Sequence, residues 1–75
     1  MRELVEYLTR SLVDRPEAVQ VREVNGERSV ILEIRVDPAD VGKVIGKQGR
    51  IVRAIRTVAR AAGAKAGKRV EVEVI

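Results

Sequence analysis

Six residues, Val44-Ile45-Gly46-Lys47-Gln48-Gly49, constrain this chain more than any others. Two glycines three apart interrupt a pattern that is helical on both sides, and the surrounding stretch from Lys43 to Arg69 contains no acidic residue. Glycine adopts positive φ freely and lets another molecule come close to the backbone. A helix that begins at the second glycine aims its unpaired N–H groups, and the positive end of its dipole, at the same place. A chain built this way displays a basic corner between two helices, suited to an anionic ligand rich in backbone.

The composition supplies no enzymatic equipment. The 75 residues include no cysteine and no histidine, which removes disulfides, thiolate metal sites and an imidazole proton shuttle. No nucleophile has a base beside it, and Asp37 and Asp40 read as helix-start residues. No enzyme, metal, cofactor or small-molecule substrate is expected. A chain this short buries only about 60% of the surface it exposes when unfolded, so a large enclosed cavity is not expected either. With 45% hydrophobic and 35% charged residues, the chain is expected to fold. No apolar run approaches the roughly 20 residues that cross a bilayer, and Glu3 and Glu6 beside Arg2 do not make a signal-peptide layout. The expectation is a cytoplasmic protein without membrane contact.

The net charge of +4 is unevenly placed. Residues 1–36 hold six basic and seven acidic residues, net −1, whereas residues 37–75 hold nine and four, net +5. The positive field belongs to the second half, which favours a polyanion such as a nucleic acid as partner.

Periodicity places the elements around the corner. Leu4, Val5, Leu8, Leu12 and Val13 fall on one helical stripe over residues 3–14, and Pro16 stops it. Two segments rich in valine and isoleucine, 18–24 and 29–36, flank Asn25-Gly26, the pair favoured by type I' turns because both central residues need positive φ; together they predict a hairpin over 18–36. Asp37-Pro38 opens a short helix, with Asp as the N-cap and Pro first inside it. From about Gly49 to Ala62 the residues Ile51, Val52, Ile55, Val58, Ala59 and Ala62 form a buried stripe, with Gly63 expected as the C-terminal cap. Val70, Val72 and Val74 alternate with Glu71 and Glu73 in a last strand over 69–75. A strand, a helical crossover and another strand normally run parallel. The prediction is an α+β fold of order α-β-β-α-α-β, one domain over 1–75, with a mixed three-stranded sheet and helices packed on one face.

The string Val44-Ile45-Gly46-Lys47-Gln48-Gly49-Arg50-Ile51-Val52 resembles the Ile-Ile-Gly-x-x-Gly-x-x-Ile signature of KH domains, and the extra N-terminal helix and strand match the type II variant. The longer run from Val41 to Val58, with Arg69-Val70 opening the last strand, resembles the small single-domain bacterial KH proteins of the KhpA family. The resemblance covers essentially the whole chain. Val replaces Ile at positions 44 and 52. It implies a single-stranded RNA partner bound with low sequence specificity, a role as RNA chaperone or post-transcriptional regulator, and assembly as a homodimer or as a heterodimer with a larger KH protein of the KhpB type.

Carried onto this chain, the resemblance gives Gly46 and Gly49 the steric role at the phosphate. Lys47 becomes a point charge at the tip and Gln48 a hydrogen-bonding group. Lys43, Arg50 and Arg53 extend the positive track, and Val41, Val44 and Ile45 with a strand residue such as Ile34 form an apolar floor for bases. Plain core packing is the competing reading for Val44, Ile45 and Val52, and solvated surface for Arg56 and Arg60. With Tyr7 the only aromatic residue, ring stacking on bases contributes almost nothing. Two other functions compete. One is a helix-turn-helix DNA binder, disfavoured by apolar residues at the very start of the helix after the turn; the other is a protein-interaction module with a KH fold, disfavoured by the intact glycines and Lys47.

Overall fold

The computed structural model describes residues 1–75. Helix α1 (Arg2–Leu12) leads through a 3-10 turn at Pro16–Ala18 into β1 (Gln20–Asn25) and β2 (Ser29–Arg35). A second 3-10 turn, Pro38–Asp40, opens the short helix α2 (Val41–Ile45). The loop turn Lys47–Gly49 joins it to α3 (Arg50–Lys65), and β3 (Arg69–Val74) closes the chain. The sheet order is β1-β2-β3, with β1 antiparallel and β3 parallel to β2. This is the expected α+β arrangement: the α2–α3 crossover returns the chain to the starting end of β2, where β3 begins and pairs in parallel.

Strand alternation decides where the core lies. Val30, Leu32 and Ile34 of β2 and Val70 and Val72 of β3 turn to one face, where Val21 of β1, Val5 of α1, Val44 of α2 and Ile55 and Ala59 of α3 meet them. Leu32, Ile34, Val5 and Val44 have no exposed surface, and burying each such side chain stabilises the fold by roughly 1.5–3 kcal/mol. The polar Thr9 is tolerated among them because its hydroxyl donates to the Val5 carbonyl at 2.7 Å. The opposite sheet face carries charge, as in the pair of exposed Arg22 with half-buried Glu33 at 3.8 Å. No helix is long and apolar enough to cross a membrane.

Two local expectations are corrected. The hairpin forms, but its bend lies at Glu27-Arg28: Asn25 still pairs with Val30, the Gly26 N–H donates to the Ser29 carbonyl at 2.7 Å, and neither Asn25 nor Gly26 has positive φ. A turn centred on Asn25-Gly26 would set Val21 opposite Val30, still on the core face, so alternation alone cannot choose the register. It would also leave Ile34 and Arg35 opposite Glu17 and Pro16, which are held in a 3-10 turn. The observed register instead pairs Val21 with Ile34 and Gln20 with Arg35, so β2 is used to its end.

The second correction concerns Gly63, which does not end α3. The helix runs through it to Lys65, and Gly63 is buried against β3: a Cβ there would lie 2.2 Å from Val70 Cγ2 and 3.0 Å from the Lys68 carbonyl oxygen. Closure falls to Gly67, at φ +70. Its N–H donates to the Ala64 carbonyl at 3.1 Å, and the Lys68 N–H to the Gly63 carbonyl at 2.9 Å, the paired bonds of a Schellman ending.

Candidate nucleic-acid interface

Helix α2 has five residues, too few to hold itself together in water. Neighbouring groups fix it. The Asp37 carboxylate accepts from the Ala39 N–H at 2.9 Å, and Pro38 takes the first position of the turn that opens it. Asp40, 2% exposed, accepts the Arg15 N–H at 3.1 Å and lies 3.4 Å from the Lys43 ammonium, which also binds Asp14. Burial alone would raise the Asp40 pKa, but the Arg15 and Asp14 amides and Lys43 outweigh it and hold the carboxyl below its ordinary range. The bond to Asp14 holds Lys43 protonated above its ordinary range, partial burial opposing it and Asp40 adding to it. Lys43 is therefore a stitch between α2 and the turn after α1, its charge largely offset.

At the end of α2 the Gly46 N–H donates to the Gly42 carbonyl at 2.8 Å, and the chain turns at Gly46 with φ 76, ψ 171. A Cβ on Gly46 would lie 2.5 Å from Cγ1 of Ile51, so the first glycine is required by packing as well as by conformation. Gln48 follows at φ 57, ψ 26, the one non-glycine residue of the chain with positive φ, and Gly49 at φ 72, ψ 16. A left-handed non-glycine residue costs roughly 1–2 kcal/mol and concentrates at functional sites. The Gly49 N–H donates to the Gly46 carbonyl at 3.1 Å; the Lys47 and Gln48 N–H groups make no backbone hydrogen bond within the chain. Helix α3 then starts without a side-chain cap or an acidic residue in its first turn.

The predicted residues separate by position. Lys47 and Gln48 are exposed at the tip, and Lys47 makes no ion pair. Arg50 and Arg53 are exposed on the first turns of α3: Arg50 donates to Oε1 of Gln48 at 3.1 Å, and Arg53 to the carbonyls of Gln48 and, at 3.4 Å, Gly49. Ile45 and Val41 are half-buried. Val44 and Ile34, by contrast, have no exposed surface and belong to the core, so they form no open floor. The side chains at these positions alternate between loop and core because α2 packs one face on the sheet.

A groove of about 450 Å³ continues the track along α3, lined by Arg53, Arg56, Thr57 and Arg60 on one side and by Glu71, Val72 and Glu73 of β3 on the other. Arg56, expected as solvated surface, is half-buried, and its Nε donates to the Val72 carbonyl at 3.2 Å, on the edge of β3 that pairs with no strand. Arg60 lies 3.6 Å from Glu71. The spacing of Arg53, Arg56 and Arg60 put them on one helix face in the sequence. Only the sheet order shows that this face looks onto a free strand edge.

The loop offers an anion two internally unpaired amides and a free ammonium, at a helix end already positive and beside the guanidinium groups of α3. The chain matches the family described as KhpA/KhpB, KH domain, over residues 2–74. It is 63% identical to the RNA-binding protein KhpA of Clostridium perfringens over 75 residues, the full length of both. It is 52% identical to the protein of that name in Aquifex aeolicus, over all of this chain and 95% of the relative. For the Chlamydia pneumoniae protein the identity is 41%, over all of this chain and 96% of the relative. No solved structure gives a significant match.

Proposed function

The chain belongs to the KhpA/KhpB family of KH domains, and from that premise we propose that it binds single-stranded RNA by gripping the sugar-phosphate backbone at Gly46–Gly49. The observation that carries this reading is the loop itself: two glycines at positive φ bracket the unpaired amides of Lys47 and Gln48 at the uncapped start of α3, with no carboxylate in the first turn. A phosphate there gains backbone N–H donors, the helix dipole and the Lys47 charge together. The guanidinium groups along α3 extend the positive field beyond the loop, along the path of the nucleic acid.

Sequence preference is weak in this reading. Tyr7, the one aromatic residue, is 70% exposed on α1 and is not among the residues of the loop or the groove, so discrimination rests on hydrogen bonds and aliphatic contact. Three to five phosphate contacts give a slope of roughly −2 to −3.5 in the logarithm of the association constant against the logarithm of salt concentration. A single weak site gains from assembly, as the family resemblance also implies: a homodimer, or a heterodimer with a larger KH protein of the KhpB type. An RNA chaperone or post-transcriptional regulator in the cytoplasm fits such binding.

The test is a titration of a mixed-sequence single-stranded RNA 12-mer at two salt concentrations, with the wild type and with the Lys47→Asp, Gln48→Asp double variant. The expected result is an affinity loss of more than roughly tenfold with an unchanged circular dichroism spectrum, because two carboxylates at an exposed tip repel phosphate without touching the core. Unchanged affinity in the folded variant would remove the loop from the site. Preferential binding to duplex DNA would move the protein to a different class of nucleic-acid reader.

A further inference from the structure

Arg53 has two neighbours a simple phosphate contact would not need. Its Nε donates to the Gly49 carbonyl at 3.4 Å and its terminal nitrogen to the Gln48 carbonyl, so one planar group spans two adjacent carbonyls of the loop. The helix makes this reach possible: long side chains lean back toward the N-terminus, which carries Arg53 over the residues four and five before it. Gln48 is held from its other end as well, by the Arg50 guanidinium on Oε1 at 3.1 Å. The residue so held is the one non-glycine residue with positive φ.

We propose that Arg53 is a positioning residue for the phosphate-binding loop: it braces the left-handed Gln48-Gly49 segment from behind, and does not itself contact RNA. The inference rests on the reading that the Gly46–Gly49 loop grips the backbone. Two carbonyls engaged by one cation cannot turn toward an incoming phosphate and repel it, and the amides of Lys47 and Gln48 stay available as donors. The track then divides its labour, with Lys47 as the contact charge and Arg53 as the brace.

Lysine separates the two roles, since it keeps the charge but cannot span both carbonyls with a planar fork. RNA affinity and its salt dependence are measured for the wild type, Arg53→Lys and Arg53→Gln. A brace predicts that both variants lose affinity roughly fivefold with a wild-type salt slope, since two charge-assisted bonds to the loop are lost and no phosphate contact is. It also predicts faster hydrogen exchange at the Gly49 amide in the free Arg53→Lys protein. A contact predicts wild-type binding by Arg53→Lys and a salt slope shallower by about 0.7 in Arg53→Gln. That outcome, or unchanged affinity in both variants, overturns the proposal. The Lys47→Asp, Gln48→Asp variant run alongside separates the two failures: if it binds normally the loop reading itself falls, and if it does not bind while Arg53→Lys is normal, only the brace falls.

Discussion

Helix α3 ends in two opposite ways. At Lys65 every device that closes a helix is present: a left-handed Gly67, both Schellman hydrogen bonds and a lysine in the last turn where the dipole is negative. At Arg50 they are missing: no side chain caps the helix, no carboxylate stands in the first turn, and Arg50 and Arg53 add positive charge to the positive end. Each cation so placed costs a few tenths of a kcal/mol, an amount an anion at the loop would reverse. One end is built for stability. The other is left unsatisfied on the side where a phosphate would complete it.

Substitutions at the glycines of the two ends can break this contrast. The largest effect is expected at Gly63, where Gly63→Ala would force a Cβ to 2.2 Å from the Val70 methyl and 3.0 Å from a backbone oxygen. Even after the helix propensity gained, unfolding free energy is expected to fall by about 2 kcal/mol, a drop in Tm of roughly 10 °C, while the folded fraction still binds RNA. A thermal melt beside an RNA titration checks both halves.

The sharpest comparison is between Gly49→Ala and Gly67→Ala. Both glycines are left-handed, at φ +72 and +70, and an added Cβ has no contact closer than 4.0 Å at Gly49 and none within 4 Å at Gly67. Each variant is expected to lose about 1 kcal/mol of stability from backbone strain alone. Only Gly49→Ala is expected to weaken RNA binding. Equal affinities for the two variants would abolish the functional distinction between the ends.

The smallest effect concerns the Asp40–Lys43–Asp14 stitch and appears at the extremes of pH. The Asp40 pKa is lowered on folding, so its contribution is present above the unfolded value of about 3.9 and is lost as pH falls through the folded value. The Lys43 pKa is raised, so its contribution is present below about 10.4 and is lost as pH rises through the folded value. Asp40→Asn is expected to flatten the acid limb of denaturation midpoint against pH, leaving the neutral plateau level. A steep acid limb retained in Asp40→Asn would assign it to other carboxylates.

Much of the fold was legible because periodicity reports burial directly. The alternation of Val30, Leu32 and Ile34 named core residues that the structure buries; of the helical stripe, Val52, Ile55 and Ala59 are buried, Ile51 and Ala62 half-buried and Val58 exposed. The loop was legible too, as glycine spacing and the absence of acids are local facts. Lys43 and Arg56 were not, because a charge seen in sequence carries no information about its partners: Lys43 meets Asp14 across 29 positions, and Arg56 meets the Val72 carbonyl across 16. Val44 was ambiguous for a related reason, since an apolar residue beside a binding loop has the same signature whether it floors a groove or fills a core.

The sequence by itself determined the order of elements, the face of the sheet that is covered and the place where two glycines turn the backbone between helices, because these follow from spacing along the chain. Only the tertiary structure decided the hairpin register, the close approach that requires Gly63, the diversion of Lys43 into an ion-pair stitch and the alignment of Arg56 with a free strand edge. Each of these depends on which distant atoms compete for the same space or charge, and that competition is settled only when the elements pack.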